Sequence, residues 1–126
     1  MQIQKIKVHE VMTCNVEDDV SEIAAKLKEK NERRVFVTDN QGVLKGIITT
    51  TDLVYKVLPN CSFDMKAKDV MVREVKSVDI KEDLEKALEI MNGLETFVCP
   101  VTEKGKILGI VSYPEIVDYV LASAKK

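Results

Sequence analysis

The sequence predicts a mixed α/β (α+β) fold that is built from an internal repeat. An amphipathic helical stripe occupies residues 20–27 and returns at 84–91. Each stripe is followed by two short strand-like runs separated by a glycine-containing turn, and the second run leads into a polar segment typical of a helix start. Self-similarity of this kind indicates that one supersecondary unit occurs twice.

The helix of the first copy is the clearest single element. Apolar residues over 20–27 follow the i, i+3, i+4, i+7 spacing, which places them on one face of a helix. Asp19 or Ser21 is available as the N-cap, and the pattern fades near Asn31. The same spacing over 84–91 predicts the equivalent helix of the second copy.

Two strands follow the first helix. Residues 35–37 predict one strand, 39–42 predict a turn, and 43–49 predict a second strand. The adjacent apolar residues Ile47 and Ile48 favour a strand that is buried on both faces.

The second copy repeats this order with a change of register. Pairing Val11 with Val70 gives an offset of 59 residues, whereas pairing Val20 with Leu84 gives 64. The first copy is therefore expected to lack five residues ahead of its helix. It should have little room for the short strand that residues 72–78 could form. The predicted boundaries are 1–58 for the first copy, 59–66 for a linker and 67–126 for the second copy.

The junction that closes each copy carries the most chemistry. It reads Gly46-Ile47-Ile48-Thr49-Thr50-Thr51-Asp52 in the first copy and Gly109-Ile110-Val111-Ser112-Tyr113-Pro114-Glu115 in the second. Hydroxyl groups and a carboxylate stand where a buried strand meets a helix start, which offers free N–H groups and a favourable dipole. We expect this pair of junctions to hold a small polar ligand.

Composition argues against several classes of function. The chain has 126 residues, 45% of them hydrophobic and 32% charged, which is typical of a globular domain. A net charge of −2 gives no general attraction to nucleic acid or to an anionic membrane. No run approaches the roughly 20 apolar residues of a membrane span, and the start of the chain does not resemble a secretory signal. A cytoplasmic protein is expected.

The cysteines predict neither a disulfide framework nor a zinc site. Cys14, Cys61 and Cys99 are odd in number, far apart and without a C-x-x-C pair. We expect them to be small core residues in a reducing compartment. His9, the single histidine, has no companion at metal-ligand spacing, so a surface role and no metal are expected.

Each half of the chain resembles a CBS motif, the small regulatory unit named after cystathionine beta-synthase. The resemblance rests on Glu10-Val11-Met12-Thr13 and Asp69-Val70-Met71-Val72, the helix after each, the turns at Gly42 and Gly105, and the closing junctions. It spans nearly all of the chain, from about Val8 to Leu121. It implies two tandem β-α-β-β-α motifs, related by a pseudo-twofold axis, that form one compact Bateman module.

The resemblance also implies a function. Such modules are sensors of AMP, ADP, ATP, S-adenosylmethionine or NAD, bound in the cleft between the two motifs, and they require no other cofactor. They usually pair as homodimers, here through the helices after Asp52 and Pro114, and act on a regulated protein that this sequence does not identify. The competing hypothesis is a structural dimerisation module without a nucleotide.

Site residues follow from the resemblance residue by residue. The main site would contain Thr49, Thr51, Asp52, Val72, Val75, Lys76, Thr96 and Phe97. The weaker second site would contain Thr13, Arg33, Ser112 and Glu115, near Cys14. Glu115 is one methylene longer than the family's Asp, and Pro114 removes a backbone donor, so we expect the first site to bind better.

The chemistry of the main site suits an adenosine ligand. A carboxylate such as Asp52 can accept hydrogen bonds from both ribose hydroxyls. Hydroxyl and N–H donors at a helix start suit phosphate, and adenine needs an apolar slot. Each residue also has an ordinary alternative: Asp52 as a helix cap, Thr49 as a strand residue and Arg33 as a solvated cation. No enzyme is predicted, because no base stands beside a Ser or Cys and no phosphate-loop lysine is present.

Overall fold

The chain divides into two units that do not follow its linear order. The central unit is Met12–Val75, and the split unit combines Met1–Val11 with Lys76–Lys126. The computed structural model describes residues 2–57, 59, 64–94 and 98–124, with residue 94 described by its backbone alone. The central unit thus includes residues 67–75, which the sequence repeat assigns to the second copy, and the split unit includes residues 1–11 of the first copy. These are the two exchanged segments.

The central unit is a three-stranded sheet with helices. Its elements are β1 (Thr13–Asn15), α1 (Val20–Lys30), β2 (Arg34–Thr38), β3 (Leu44–Thr49), α2 (Thr50–Asp52) with a π-helical continuation (Leu53–Val57), and α3 (Ala67–Val70). The strand order is β1-β2-β3, in which β2 runs parallel to β1 and antiparallel to β3. The predicted helix over 20–27 and the two predicted strands are confirmed.

The split unit repeats this plan. A short 3-10 turn (Ile3–Lys5) precedes β4 (Val78–Asp79), α4 (Leu84–Leu94), β5 (Val98–Glu103), β6 (Lys106–Ser112) and α5 (Tyr113–Ala124). The strand order is β4-β5-β6 with the same parallel and antiparallel pairings. Gly42 and Gly105 occupy equivalent turns, each with a φ of 83°, where glycine is the least strained residue. The predicted mixed α+β fold is confirmed.

Each unit has its own apolar core, and each core includes the exchanged segment. In the central unit the helical stripe packs with Ala67, Val70 and Met71. In the split unit the second stripe packs with Ile3 and Ile6. The exchange is therefore fixed by burial of apolar side chains, the dominant stabilising term in folding. Cys14 and Cys99 are buried core residues, as predicted, whereas Cys61 lies outside the described residues.

The predicted change of register is wrong. Ala67 donates its N–H to the Asp18 carbonyl at 2.9 Å, and Ile3 donates to the Glu82 carbonyl at 3.1 Å. These two bonds relate the copies by an offset of 64 residues, and the bridges described below give an offset of 63, so no five-residue gap separates the copies. The first copy has room for a strand, since β1 has three residues and β4 only two.

The incorrect pairing of Val11 with Val70 has a local cause. Val11-Met12 matches Val70-Met71 by residue type, but the structural equivalents of Met71 and Val72 are Val8 and His9. Val72 forms a bridge with Ile47, and His9 forms the same bridge with Ile110. Residues 73–77 are not part of any strand, so the short strand predicted over 72–78 reduces to this single bridge and β4.

Two smaller predictions are corrected. Asp19 occupies the N-cap position of α1, but its side chain makes no capping hydrogen bond and instead accepts one from Lys66 Nζ at 2.5 Å. Ile48 is fully buried, whereas Ile47 is only half-buried. The strand is therefore less enclosed at Ile47 than its apolar sequence predicted.

Candidate functional site

The junction of the central unit forms where β3 runs into α2. Thr49 is extended, with φ −110° and ψ 164°, and it is the N-cap of the helix. Its Oγ1 accepts a hydrogen bond from the Asp52 N–H at 3.1 Å, while its own N–H donates to Asp52 Oδ2 at 2.9 Å. This reciprocal pair is a capping box, which satisfies two backbone donors at the helix start.

Asp52 is therefore both part of the cap and a half-buried charge beside a cation. Its side chain is 15% exposed, and Oδ1 lies 3.5 Å from Lys56 Nζ one helical turn later. Lys56 also donates to the Val70 carbonyl at 2.9 Å, which links the helix to the 64–75 segment. A carboxylate has about four lone-pair sites, so Oδ1 keeps acceptor capacity although Oδ2 is engaged.

Three threonines precede this carboxylate at the helix start. Thr49 is half-buried, whereas Thr50 and Thr51 are exposed in the first turn of the helix. Thr50 donates its backbone N–H to the Arg33 carbonyl at 2.9 Å, so Arg33 neighbours this junction. The helix start thus carries hydroxyl side chains and lies next to the backbone of Arg33, an exposed residue.

The 64–75 segment lies directly beside β3. The N–H and carbonyl groups of Val72 and Ile47 exchange two hydrogen bonds of 2.9 and 3.0 Å. Gly46 permits this approach, because a Cβ at that position would lie 2.7 Å from the Val72 carbonyl oxygen and from Met71 Sδ. Val72 leaves an exposed apolar side chain next to the junction.

The structure places the predicted main-site residues in different parts of the chain. Thr49, Thr51, Asp52, Val72 and Val75 all belong to the central unit, and Val75 is half-buried. Lys76 belongs to the split unit, where it lines a shallow surface depression. The other lining residues are Ser77, Lys86, Glu89, Ile90 and Gly93. Thr96 and Phe97 lie outside the described residues.

The predicted second-site residues also divide. Thr13 and Arg33 belong to the central unit, with Thr13 in β1, whereas Ser112 and Glu115 belong to the split unit. Among the four, a side-chain hydrogen bond joins Ser112 and Glu115, with the Ser112 hydroxyl donating to Glu115 Oε2.

The junction of the split unit has a different partner for its carboxylate. Glu115 Oε1 pairs with the Nε2 of His9, and the Glu115 side chain is only 16% exposed. The hydrogen bond from Ser112, with a smaller contribution from His9, holds the pKa of Glu115 below its ordinary value. Both carboxylate oxygens are thus engaged. Asp52 in the central unit instead keeps one oxygen only loosely paired, at 3.5 Å from Lys56.

Sequence reasoning missed His9 as a residue of this junction. The imidazole is 44% exposed, as a surface role requires, but it also contacts Glu115. Its backbone exchanges two hydrogen bonds of 2.9 Å with Ile110. Gly109 allows this contact, since a Cβ there would lie 2.0 Å from the His9 carbonyl oxygen. The structural register, which is an offset of 63 residues at this point, would have identified His9, because it is the equivalent of Val72.

Comparison with known proteins identifies the family of both halves. The family model of the CBS domain matches residues 3–59 and again residues 67–122. A relative from Bacillus subtilis (strain 168), the uncharacterized protein YlbB, is 32% identical over 120 residues. That alignment covers 87% of this chain and 79% of the relative.

Two solved structures share the fold. Hypoxic Response Protein I, solved with two coordinated zinc ions, has a TM-score of 0.80 at 16% identity and covers 94% of this chain and 98% of its own. The CBS domain pair of protein MJ0100, solved with methylthioadenosine and S-adenosyl-L-methionine, has a TM-score of 0.72 at 23% identity. That match covers 100% of this chain and 98% of its own. At these identities the likeness concerns the fold alone.

Two kinds of feature are absent from the described ranges, a metal-binding cluster and a membrane-spanning helix. Within residues 2–57, 59, 64–94 and 98–124, no three His, Cys, Asp or Glu side chains are grouped so that they could hold a metal ion. In the same ranges, every helix is too short or too polar to cross a membrane.

Proposed function

The chain belongs to the CBS domain family, and from this membership and the Thr49–Asp52 junction we propose a regulatory module that binds an adenosine-containing small molecule. The candidates are AMP, ADP, ATP, S-adenosylmethionine and NAD, with no other cofactor required. The observation that carries the proposal is the half-buried hydroxyl–carboxylate pair at the start of α2, with an exposed apolar residue beside it. Methylthioadenosine and S-adenosyl-L-methionine in the MJ0100 structure support this ligand class.

Asp52 would hold the ribose. Its Oδ2 already accepts two hydrogen bonds from Thr49, at 2.9 and 3.1 Å, which fixes the carboxylate in one orientation. Oδ1 remains able to accept hydrogen bonds from a diol, and bonds to an ionised acceptor are about twice as strong as neutral ones. Lys56 would offset part of the cost of burying the carboxylate.

The rest of the ligand would be held by weaker groups. The Thr51 hydroxyl, which is exposed at the helix start, would contact a phosphate or another polar tail. Val72 and Val75 would provide the apolar wall against which adenine packs. Lys76, Thr96 and Phe97 remain predicted main-site residues.

The second site remains a proposal as well, with Ser112, Glu115, Thr13 and Arg33 as its residues. Two observations support its being weaker. Glu115 already pairs through both oxygens, with Ser112 and with His9, so a ribose would have to displace one of them. Displacing a charge-assisted hydrogen bond weakens the net gain of forming a new one.

A thermal-shift panel of the five ligands, followed by calorimetry on any that bind, tests the proposal. A true ligand at a hundred times its Kd should add about 2.7 kcal/mol of stability. Asp52→Asn keeps an oxygen that can accept the Thr49 N–H but removes the charge, so it should weaken binding at least tenfold without unfolding the protein. Glu115→Gln is the matched control and should leave the tighter binding event unchanged. The opposite pattern would transfer the main site to the split unit.

A second candidate function is an interaction module without a nucleotide, and one observation favours it. Apolar side chains remain uncovered on the π-helical segment after Asp52 and on α5: Tyr55 is 76% exposed, and Leu121 is 55% exposed beside Val117 and Val120. A homodimer through the helices after Asp52 and Pro114 would cover them, and clusters of this type mark interaction sites.

Light scattering of two α5 variants tests the homodimer. Leu121→Glu should convert a dimer to a monomer, because it places a charge within the apolar stripe. Ala122→Glu adds the same charge at an exposed neighbouring position and should not. A wild-type protein that is monomeric at high concentration refutes the homodimer, and a dimer that shows no thermal shift with any ligand favours the second function.

We propose no catalytic role. Burial raises the pKa of Cys14 to about 12 and that of Cys99 to about 11, so neither thiol is an activated nucleophile near neutral pH. Two free, buried thiols suit a reducing compartment, and we propose the cytoplasm. The protein that the module regulates would respond to a ligand-dependent change in this chain.

A further inference from the structure

His9 joins two parts of the split unit that are far apart in sequence. Its backbone pairs with Ile110 on β6 through two hydrogen bonds of 2.9 Å, and its imidazole pairs with Glu115 on α5. Ser112 holds the other oxygen of Glu115. The contact therefore fastens the leading segment (residues 2–11) to the point where β6 becomes α5.

Glu115 on α5 meets the imidazole with its carboxylate. On β6 the neighbouring residues Ile110 and Ser112 are uncharged. The leading segment itself carries Lys7 and Glu10 nearby, and both are exposed.

The central unit contains the matched arrangement without a histidine. Val72 occupies the place of His9 and makes the same two backbone hydrogen bonds, with Ile47. The carboxylate of Asp52 is paired instead with the ammonium group of Lys56. The two junctions thus differ in the side chain that meets the carboxylate, which is lysine in the central unit and histidine in the split unit.

We propose that His9 and Glu115 form a pH-sensitive latch, which holds the leading segment against β6 more tightly when the imidazole is protonated. Histidine side chains change charge between about pH 5 and 8. Glu115 stays ionised over that range, because the Ser112 hydrogen bond holds its pKa below the ordinary value. Protonation therefore converts a neutral hydrogen bond into an ion pair, and the latch tightens as the pH falls through this range.

The latch acts locally. Ile3 and Ile6 of the leading segment are buried in the core of the split unit, so they anchor the segment whether or not His9 is charged. The part that responds is the stretch around His9, where the segment is held by one bridge to β6. This proposal does not depend on the ligand-binding function.

Amide hydrogen exchange measured between pH 5.5 and 8, and corrected for intrinsic rates, tests the latch. The Ile110 N–H, which donates to the His9 carbonyl, should gain roughly two- to fivefold protection at pH 5.5, the range expected for a partly exposed ion pair. The Val72 N–H, which donates to Ile47, is the internal reference and should not change. Because His9 is the only histidine, no other imidazole can produce the effect.

Two variants complete the test. His9→Gln keeps a neutral donor and Glu115→Gln keeps a neutral acceptor, and each should abolish the pH dependence at Ile110 while protection at Val72 reports an intact fold. Flat wild-type protection at Ile110 across this pH range overturns the latch. Persistence of the pH dependence in either variant overturns it as well.

Discussion

Gly46→Ala is the sharpest test of how the exchanged segment is held. An alanine Cβ at this position would lie 2.7 Å from the Val72 carbonyl oxygen, well inside van der Waals contact. That oxygen accepts the Ile47 N–H at 3.0 Å, so the backbone of the 64–75 segment would have to move away from β3. The substitution therefore attacks the bridge between Ile47 and Val72 directly.

The magnitude follows from the bonds that the movement weakens. Two hydrogen bonds join Ile47 and Val72, and each contributes about 0.5–1.5 kcal/mol. Replacing glycine by alanine returns about 0.4–1 kcal/mol through the unfolded chain. We expect a net loss of roughly 1–2 kcal/mol in the free energy of unfolding, measured by urea denaturation, and faster hydrogen exchange at the Ile47 amide.

Gly93→Ala is the matched control. Gly93 lies in α4 with no heavy atom within 4 Å of a Cβ built there, so the same substitution meets open space. Alanine is about 0.8–1 kcal/mol more favourable than glycine inside a helix, and we expect a modest gain in stability near the helix end. If Gly46→Ala is as stable as the wild type, or if both variants lose stability equally, the bridge does not hold the segment as described.

Four further predictions follow from the two junctions and the buried thiols. Asp52→Ala removes the capping box and should lower the free energy of unfolding by about 0.5–2 kcal/mol without any ligand present. Asp52→Asn should lower it less. Equal losses in the two variants would contradict the capping role. Gly109→Ala should destabilise more than Gly46→Ala in the same denaturation assay, because its Cβ would lie only 2.0 Å from the His9 carbonyl oxygen, and a smaller loss would contradict that reasoning. The pKa of Glu115 is lowered by folding, so its contribution to stability is present above its ordinary pKa of 4.5 and is lost as the pH falls below that value. The Glu115→Gln variant should therefore lose less stability than the wild type between pH 5 and 3. Parallel stability profiles of the two proteins would refute this. Cys14 and Cys99 should resist alkylation at pH 8 until the protein unfolds, and rapid labelling of either thiol in the folded protein would contradict their burial.

The parts of the fold that the sequence predicted correctly depend on local periodicity. The stripe over 20–27 places Val20, Ile23 and Leu27 in the core because a helix repeats every 3.6 residues. The ordinary alternative for Asp52, a helix cap, is close to what the structure shows, although Asp52 is the N3 residue of a capping box whose N-cap is Thr49.

The predicted alignment of the two copies was wrong because the alignment depends on contacts between residues that are distant in sequence. Val11 and Val70 look alike, and similarity of side chains was the only available guide to pairing them. The structure instead aligns the copies through backbone hydrogen bonds, such as Ile3 to Glu82, that involve no characteristic side chain. His9 was missed for the same reason, since its partner Glu115 lies 106 residues further along the chain.

The two junctions together show where the repeats have diverged. Both retain a hydroxyl and a carboxylate three residues apart, in Thr49–Asp52 and Ser112–Glu115. What differs is the group that meets the second carboxylate oxygen: Lys56 at 3.5 Å in the central unit, and His9 in close contact in the split unit. A loosely paired carboxylate can accept a new donor at little cost, whereas a fully paired one must first lose a partner. If the central junction binds the ligand and the split junction responds to pH, the partner of the carboxylate is the reason, rather than the difference of one methylene between Asp and Glu.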